Sequence, residues 1–299
     1  MRILLLILFL QSTASAGVLL KTVFKEGAEF DYTISTEQTI NQIVQGNQAK
    51  QENKNSTRYT LKVQKVNEDG SAEIKCTYKA VAIFLNSGLS IVKYDSADSS
   101  QVKVPKEAKP VASLVGKSFT FKVNGENKVT AVKGMEEIIE AMIKETVSAF
   151  SPKVKEQIEA NFKKIYGDTA ITQVMQQMFS IYPGKEVKVG DNWKSDNNIE
   201  SVFSFKVDNL WTLKKVDDNK AEVQLQSTVT PAKKEFELNG IKLKHNVSGD
   251  QEGKFIFSVN GKHLASSLVT QTLSGAMKMD RMNIPINIKS KITQTLTAK

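Results

Sequence analysis

Apolar and polar residues alternate along most of the chain, and this period of two is typical of strands with one buried face. Phe30, Tyr32 and Ile34 alternate with polar neighbours near the start, and similar runs recur to the end of the chain. Residue pairs that accept positive φ and favour tight hairpins separate these runs at residues 69–70, 124–125, 239–240 and 260–261. The pattern predicts antiparallel meanders. Pro285 cannot donate to a ladder, which predicts an edge strand or a bulge in the last run.

The middle of the chain has a helical period instead. Residues 135–150 repeat apolar side chains three and four positions apart. Ser151 and Pro152 then supply an N-cap and a first-turn proline for a second helix, and Asp168 can cap a third. The pattern predicts one helical block between two β segments.

Together these elements predict an α+β fold. Two related antiparallel β halves form a curved sheet or half-barrel, and the helical block, about residues 135–180, packs on one face. The predicted division is a signal peptide, an N-terminal β half, the helical block and a C-terminal β half, at residues 1–16, 17–133, 134–182 and 183–299.

The two β halves also resemble each other in sequence, which indicates an internal duplication. Residues 59–62 (Tyr-Thr-Leu-Lys) match residues 211–214 (Trp-Thr-Leu-Lys), each followed by a turn. Residues 116–125 match residues 253–261 in the same order along the chain. The alternative is that amphipathic hairpins look alike without a common origin.

The first residues predict export. Arg2 precedes the unbroken apolar run Ile3–Leu10, and Ala14-Ser15-Ala16 fits the small-residue rule for cleavage after Ala16. The apolar run is far too short to span a bilayer, and no later stretch approaches the required length. We therefore expect an exported chain, periplasmic or secreted, that is soluble and not membrane-spanning.

The stretch Pro183–Trp193 reads P-x-x-x-V-x-V-G-D-x-W. It follows a helical block and precedes a β half, and in this setting it resembles an uncharacterised family of exported bacterial β-rich proteins. The resemblance implies a signal peptide, two related β halves and no known activity. Within the stretch, Val187 and Val189 are expected to face a core, Asp191 to form a turn and Trp193 to pack. The layout also looks like the periplasmic lipoprotein-carrier half-barrels, in which a curved sheet wraps helices around an apolar cavity.

The net charge limits the kinds of binding partner to be expected, and the single cysteine is expected to be structural. The net charge is +9, with lysines spread along the chain, which favours an anionic envelope surface over other charged partners. No basic run or basic–aromatic module is present, so no nucleic-acid partner is expected. Cys76 is the single cysteine, and its strand pattern indicates a small buried residue.

The sequence offers no catalytic residue, no cofactor site and no metal site, so we do not expect an enzyme. His245 and His263 both lie in strand patterns, without a partner at metal-ligand spacing. A hydrolase triad would need a histidine placed beside its nucleophile, and no such motif is present.

The helical block carries several methionines on apolar faces, and methionine adapts to variable apolar ligands. The first functional hypothesis is therefore a protein that binds or carries a lipid or another apolar small molecule. The residues expected to line its pocket are Ile139, Met142, Ile143, Met175, Met178 and Phe179. The alternatives are ordinary core packing for these residues and, for the protein, a non-enzymatic envelope or surface interaction protein without an internal ligand.

Overall fold

The computed structural model describes the chain from Gly17 onward in seven stretches. They are residues 17–101, 103–147, 152–179, 181–199, 204–238, 241–279 and 282–299. The predicted signal peptide, residues 1–16, lies outside the described residues.

Long strands joined by tight turns form the N-terminal half. Gln45 and Gly46 connect the first long pair, and both have the positive φ that a two-residue hairpin loop requires. The strands of this half are β1 (Val18–Leu19), β2 (Glu29–Val44), β3 (Asn47–Val66), β4 (Ala72–Asn86), β5 (Ile91–Asp95), β6 (Ser118–Val123) and β7 (Val129–Lys133).

The helices fall almost wholly in the predicted central block. One short helix, α1 (Lys109–Ala112), precedes β6, and the others follow β7 as α2 (Met135–Val147), α3 (Pro152–Tyr166) and α4 (Asp168–Gln177). Glu136 and Glu137 lie in the first turn of α2, where the helix dipole favours a negative charge.

The C-terminal half returns to strands. They are β8 (Glu186–Val187), β9 (Asn192–Ile199), β10 (Phe205–Val216), β11 (Lys220–Pro231), β12 (Glu235–Leu238), β13 (Ile241–His245), β14 (Ser248–Ser258), β15 (His263–Met279) and β16 (Met282–Ala298).

Within the described residues, fourteen strands make one antiparallel sheet, and β1 pairs separately with β8. The main path runs β7-β6-β4-β3-β2-β16-β15-β14-β11-β10-β9, with β5, β12 and β13 attached beside it. The sheet is open and curved, and the helices pack on it, so the predicted α+β fold is confirmed.

The order of strands repeats along this path. The series β7-β6-β4-β3-β2 has the same order as β15-β14-β11-β10-β9. The hairpins β3–β4 and β10–β11 each carry a bulge before the turn, after Val63 and after Leu213. If the two bulges are aligned, Val63 corresponds to Leu213, whereas in the sequence match Leu61 corresponds to Leu213. A shift of two keeps every side chain on its face. Common ancestry of the halves stays a prediction.

Pro285 does not mark an edge strand, because β16 lies between β15 and β2 at the middle of the sheet. It pairs with Ala276 of β15, and the ladder to β2 begins one residue later, at Ile286 and Gln42. Pro285 therefore has no ladder partner on the side that faces β2, and this suits a residue that has no N–H to donate.

The helices cover the concave face of the N-terminal half. Inward side chains of the strands, such as Ile74 and Phe121, form one buried cluster with Met135 and Ile138 of α2. Cys76 is buried in the same cluster, as its strand pattern predicted, and burial raises the pKa of its thiol well above the ordinary value.

The N-terminal segment, residues 17–28, ties the two halves together. The side chain of Asn127, between β6 and β7, accepts a hydrogen bond from the backbone N–H of Thr22 at 3.0 Å and donates one to the Thr22 carbonyl at 3.1 Å. The neighbouring Val23 N–H donates to the Lys262 carbonyl, in the turn between β14 and β15. A single extended stretch thus holds both halves.

We expect Asn127→Gly to lower the free energy of unfolding by about 2 kcal/mol, because two buried backbone groups of Thr22 lose their partner. Glycine tolerates the φ of 62° at this position, so the change isolates the hydrogen bonds from backbone strain. Urea unfolding measures the effect. The matched control is Gln45→Gly, at an exposed turn with φ of 50°. An equal loss in both variants would contradict the prediction.

Candidate functional site

The six residues predicted to line a ligand pocket lie in the packed core. Ile139, Met142, Ile143, Met175, Met178 and Phe179 are all buried and belong to the cluster under the helices. Met178 and Phe179 border a cavity of about 30 Å³, which is room for about one water molecule. Phe179 also borders an open groove of about 780 Å³, whose lining includes the charged residues Lys21, Glu126, Lys128 and Asp196. Contact of the predicted residues with a ligand stays a prediction.

Ile139 and Ile143 border a second cavity instead, a groove of about 840 Å³ among α2, α3 and α4. Its walls carry charges of both signs: Glu136, Glu140, Lys144, Glu159, Lys163 and Asp168. Desolvation and the nearby Glu136 carboxylate raise the pKa of Asp168. This groove is unsuited to an apolar ligand, because such a ligand would desolvate ionised groups.

Another cavity of about 560 Å³ lies on the concave face of the sheet, lined by β2 and by strands of the C-terminal half, and we call it the sheet cavity. Its volume falls in the range of about 300–1,000 Å³ that is usual for ligand pockets. Six amide side chains line it: Gln38, Asn197, Asn209, Gln251, Gln271 and Gln294. Twelve apolar side chains line the rest: Ile40, Ile199, Phe205, Val207, Trp211, Leu225, Val229, Phe255, Val269, Leu273, Ile288 and Ile292.

Among the described residues that line the sheet cavity, none carries a charge. Strand alternation explains how a chain with 24% charged residues achieves this. On β10, Val207 and Asn209 face the cavity, whereas Lys206 and Asp208 point outward and form an exposed ion pair at 2.8 Å. Among the described residues of β10, the charged side chains next to the sheet cavity therefore lie on the convex face.

Four of these amides, all except Asn197 and Gln294, are part of a continuous row of uncharged polar side chains that crosses eight adjacent strands, and we call this row the polar belt. Each member is the direct cross-strand partner of the next, so all of them share the concave face. From β9 to β3 the row is Ser195, Asn209, Ser227, Gln251, Gln271, Ser290, Gln38 and Asn53.

Both ends of the polar belt are hydrogen-bonded within the protein. At the β9 end, Asn209 donates to Ser195 Oγ at 3.2 Å and accepts from Ser227 Oγ at 2.7 Å. Trp211 Nε1 also donates to Ser195 Oγ, at 2.9 Å. At the other end, the Gln38 amide donates to Ser290 Oγ at 3.3 Å.

Apolar rows flank the polar belt on both sides. Residues two positions away along each strand share its face, and on β15 and β16 one such row contains Leu273 and Ile288. The row on the other side contains Val269 and Ile292, which also pair directly. The sheet cavity is thus apolar on two sides with a polar line between. Sequence reasoning missed this site because it treated the polar positions of each strand as outward-facing.

The stretch Pro183–Trp193 has a structural role. Asp191 and Lys188 close a turn, in which the Asp191 carboxylate accepts from the Lys188 N–H at 2.9 Å. The Trp193 indole is buried and donates to the Ile181 carbonyl at 2.9 Å, and Val187 is buried as expected. The expectation for Val189 was wrong: it is 47% exposed, because the turn begins before the alternation can continue.

His245 lies buried at the end of β13, beside the rim of the sheet cavity. Its Nε2 donates to the Lys233 carbonyl at 2.9 Å, and the rings of Phe205 and Phe236 meet it edge-on. Burial lowers the pKa of His245, an effect that the Lys233 hydrogen bond partly offsets. The neutral ring is therefore the form that the fold favours.

Within the part of the chain that the structure describes, no group of three or more histidine, cysteine and acidic side chains is placed to hold a metal ion. No helix of the described stretches has both the length and the apolar character needed to cross a membrane.

The described chain is a mostly β protein, in which helices pack against a curved antiparallel sheet and the sheet carries an uncharged cavity. The chain belongs to a family of unknown function, DUF6263, whose model matches residues 69–261. An uncharacterised β-rich family was expected from the sequence, and this part of the expectation is confirmed. No curated protein matches the chain.

Three solved structures show the level of structural likeness. A lipovitellin structure, titled for lipid–protein interactions, is 9% identical, with 92% of this chain and 26% of that chain covered and a TM-score of 0.49. The chain thus spans about a quarter of the lipovitellin chain. The COG4313 outer membrane channel from Pseudomonas putida F1 is 8% identical, with coverages of 94% and 98% and a TM-score of 0.27.

A DUF1329 family protein from Desulfovibrio piger ATCC 29098 is 8% identical, with coverages of 86% and 83% and a TM-score of 0.13. All three TM-scores are below 0.5. These likenesses therefore carry no argument about function.

We expect the protein to lose stability as the pH falls below about 6.5, because the unfolded chain then binds a proton at His245 that the folded chain resists. Above that pH both states carry a neutral ring and the effect vanishes. His245→Gln should therefore lose less stability than the wild type between about pH 7.5 and about pH 5.5. Urea unfolding at the two pH values measures this difference. Equal losses in the two proteins would contradict the prediction.

Proposed function

We propose that this protein binds a lipid or another apolar small molecule in the sheet cavity and carries it outside the cytoplasm. The observation that carries the proposal is the uncharged lining of a pocket-sized concavity in a chain of which 24% of the residues are charged. Ligand pockets are mostly apolar, with a few placed polar groups, and this lining has that composition. The export part of the proposal rests on the predicted signal peptide.

The two halves of the sheet differ in what packs on their concave faces, and this difference supports a ligand in the sheet cavity. In the N-terminal half, helix side chains such as Met142 and Met175 fill the concave face. In the C-terminal half, Trp211, Leu225 and Val269 belong to the sheet itself and still border open volume. No described helix residue lines this volume, so an apolar ligand there would pack against side chains of the strands.

The direct test is native mass spectrometry of residues 17–299, purified without detergent from the host's own envelope fraction. A discrete added mass that disappears on organic extraction and is identified as lipid is the expected result. A clean mass of the protein alone, which also fails to take up added lipid, would contradict the proposal and favour an interaction protein without an internal ligand.

We expect Gln271→Trp to weaken binding of a neutral apolar fluorescent probe, such as N-phenyl-1-naphthylamine, by at least about tenfold, because the indole would occupy the sheet cavity. Titration of the probe, followed by the probe's own emission, measures the affinity.

The matched control is Gln226→Trp. Gln226 lies on β11 of the same sheet, is exposed on the convex face and faces Glu252 across the ladder. The Gln226→Trp variant should bind the probe as the wild type does. Equal affinities for Gln271→Trp and the wild type would place the probe elsewhere.

A further inference from the structure

The centre of the polar belt differs from its ends. Gln251 of β14 and Gln271 of β15 face each other directly across the ladder, and both line the sheet cavity. Within the described residues, no hydrogen bond joins either side-chain amide to another protein group, in contrast to Asn209 and Gln38 at the ends. Two neighbouring amides are thus available to a ligand, with four donor hydrogens and two acceptor oxygens.

The surroundings of this pair set the shape of the ligand. Leu273 and Ile288 border it on one side, and Val269 and Ile292 on the other, all of them lining the sheet cavity. A ligand that contacts the amides must also lie against apolar side chains. The site therefore fits a molecule with an apolar chain and a small polar group.

The same lining decides the charge of that polar group. No lysine, arginine or ionised carboxylate among the described residues borders the sheet cavity, so an ionised headgroup would enter without a counter-charge. Burying an unpaired charge is strongly unfavourable, whereas hydroxyl, ester and amide groups can be satisfied by an amide that both donates and accepts.

We propose that the Gln251–Gln271 pair makes the sheet cavity selective for uncharged amphiphiles, such as acylglycerols or other esters, amides and alcohols of long chains, over fatty-acid anions and anionic lipids. This inference rests on the proposed function, since it names the ligand class of the same cavity.

The test compares two ligands with the same acyl chain. Mono-oleoylglycerol and oleate are titrated, below their aggregation concentrations, against protein loaded with the neutral probe, at a mildly alkaline pH where oleate is ionised. We expect mono-oleoylglycerol to displace the probe at a concentration at least about tenfold lower than oleate. Comparable displacement by both ligands would overturn the selectivity and leave the apolar cavity intact. Displacement by neither ligand would overturn the proposed function as well.

Two variants assign the selectivity to the amide pair. Gln271→Leu should weaken mono-oleoylglycerol by about fivefold to tenfold relative to the probe in the same variant, because one hydrogen-bonding partner is lost. Gln271→Arg should reverse the preference and favour oleate, because the guanidinium supplies the missing counter-charge. Gln226→Leu and Gln226→Arg on the convex face are the controls and should behave as the wild type. An unchanged preference in both Gln271 variants would contradict the role of the pair.

Discussion

The pairing of β2 with β16 is the constraint on which the whole molecule depends. Thirteen residue pairs join the two strands, from Phe30 and Ala298 to Gln42 and Ile286, and they close nearly the entire described chain into one sheet. Without this ladder the halves would be separate meanders. The sheet cavity depends on it directly, because Gln38 belongs to β2 and the opposite wall belongs to the C-terminal half. Closing so long a loop costs conformational entropy that the extensive ladder must offset.

Local sequence patterns predicted the strands and helices of this fold but not the pairing of β16 with β2 that joins the two halves. Alternation located the strands, and the period near residue 135 located the helices, because both signals arise within a few residues. The pairing of β16 with β2 is set by contacts across the whole chain, which is why Pro285 pointed to an edge strand that does not exist. The cavity was missed for the same reason: a row such as Ser227, Gln251 and Gln271 becomes visible only when the register of several strands is known.

One signal in the sequence could have indicated the concave face. On β10, the outward positions contain Lys206 and Asp208, whereas the inward positions contain Val207, Asn209 and Trp211. An amide at a position whose neighbours on the same face are apolar is a different feature from a lysine there, since it can be buried uncharged once it is hydrogen-bonded. The methionines of the helices instead indicated a pocket beside the helices. Flexible apolar side chains can line a pocket, but they can equally well fill the space themselves.

Hydrogen bonding within the protein differs between the ends and the centre of the polar belt. At the ends, Asn209 with Ser195 and Gln38 with Ser290 satisfy each other, which fixes strands of both walls in register before any ligand arrives. At the centre, Gln251 and Gln271 keep their capacity, held in place by the strands on either side. The strands that carry these amides are already in register, so binding has to order only the two glutamine side chains, and a modest number of hydrogen bonds can then discriminate between headgroups. The proposed ligand would therefore supply hydrogen-bonding partners to the two amides that the polar belt leaves without one among the described residues.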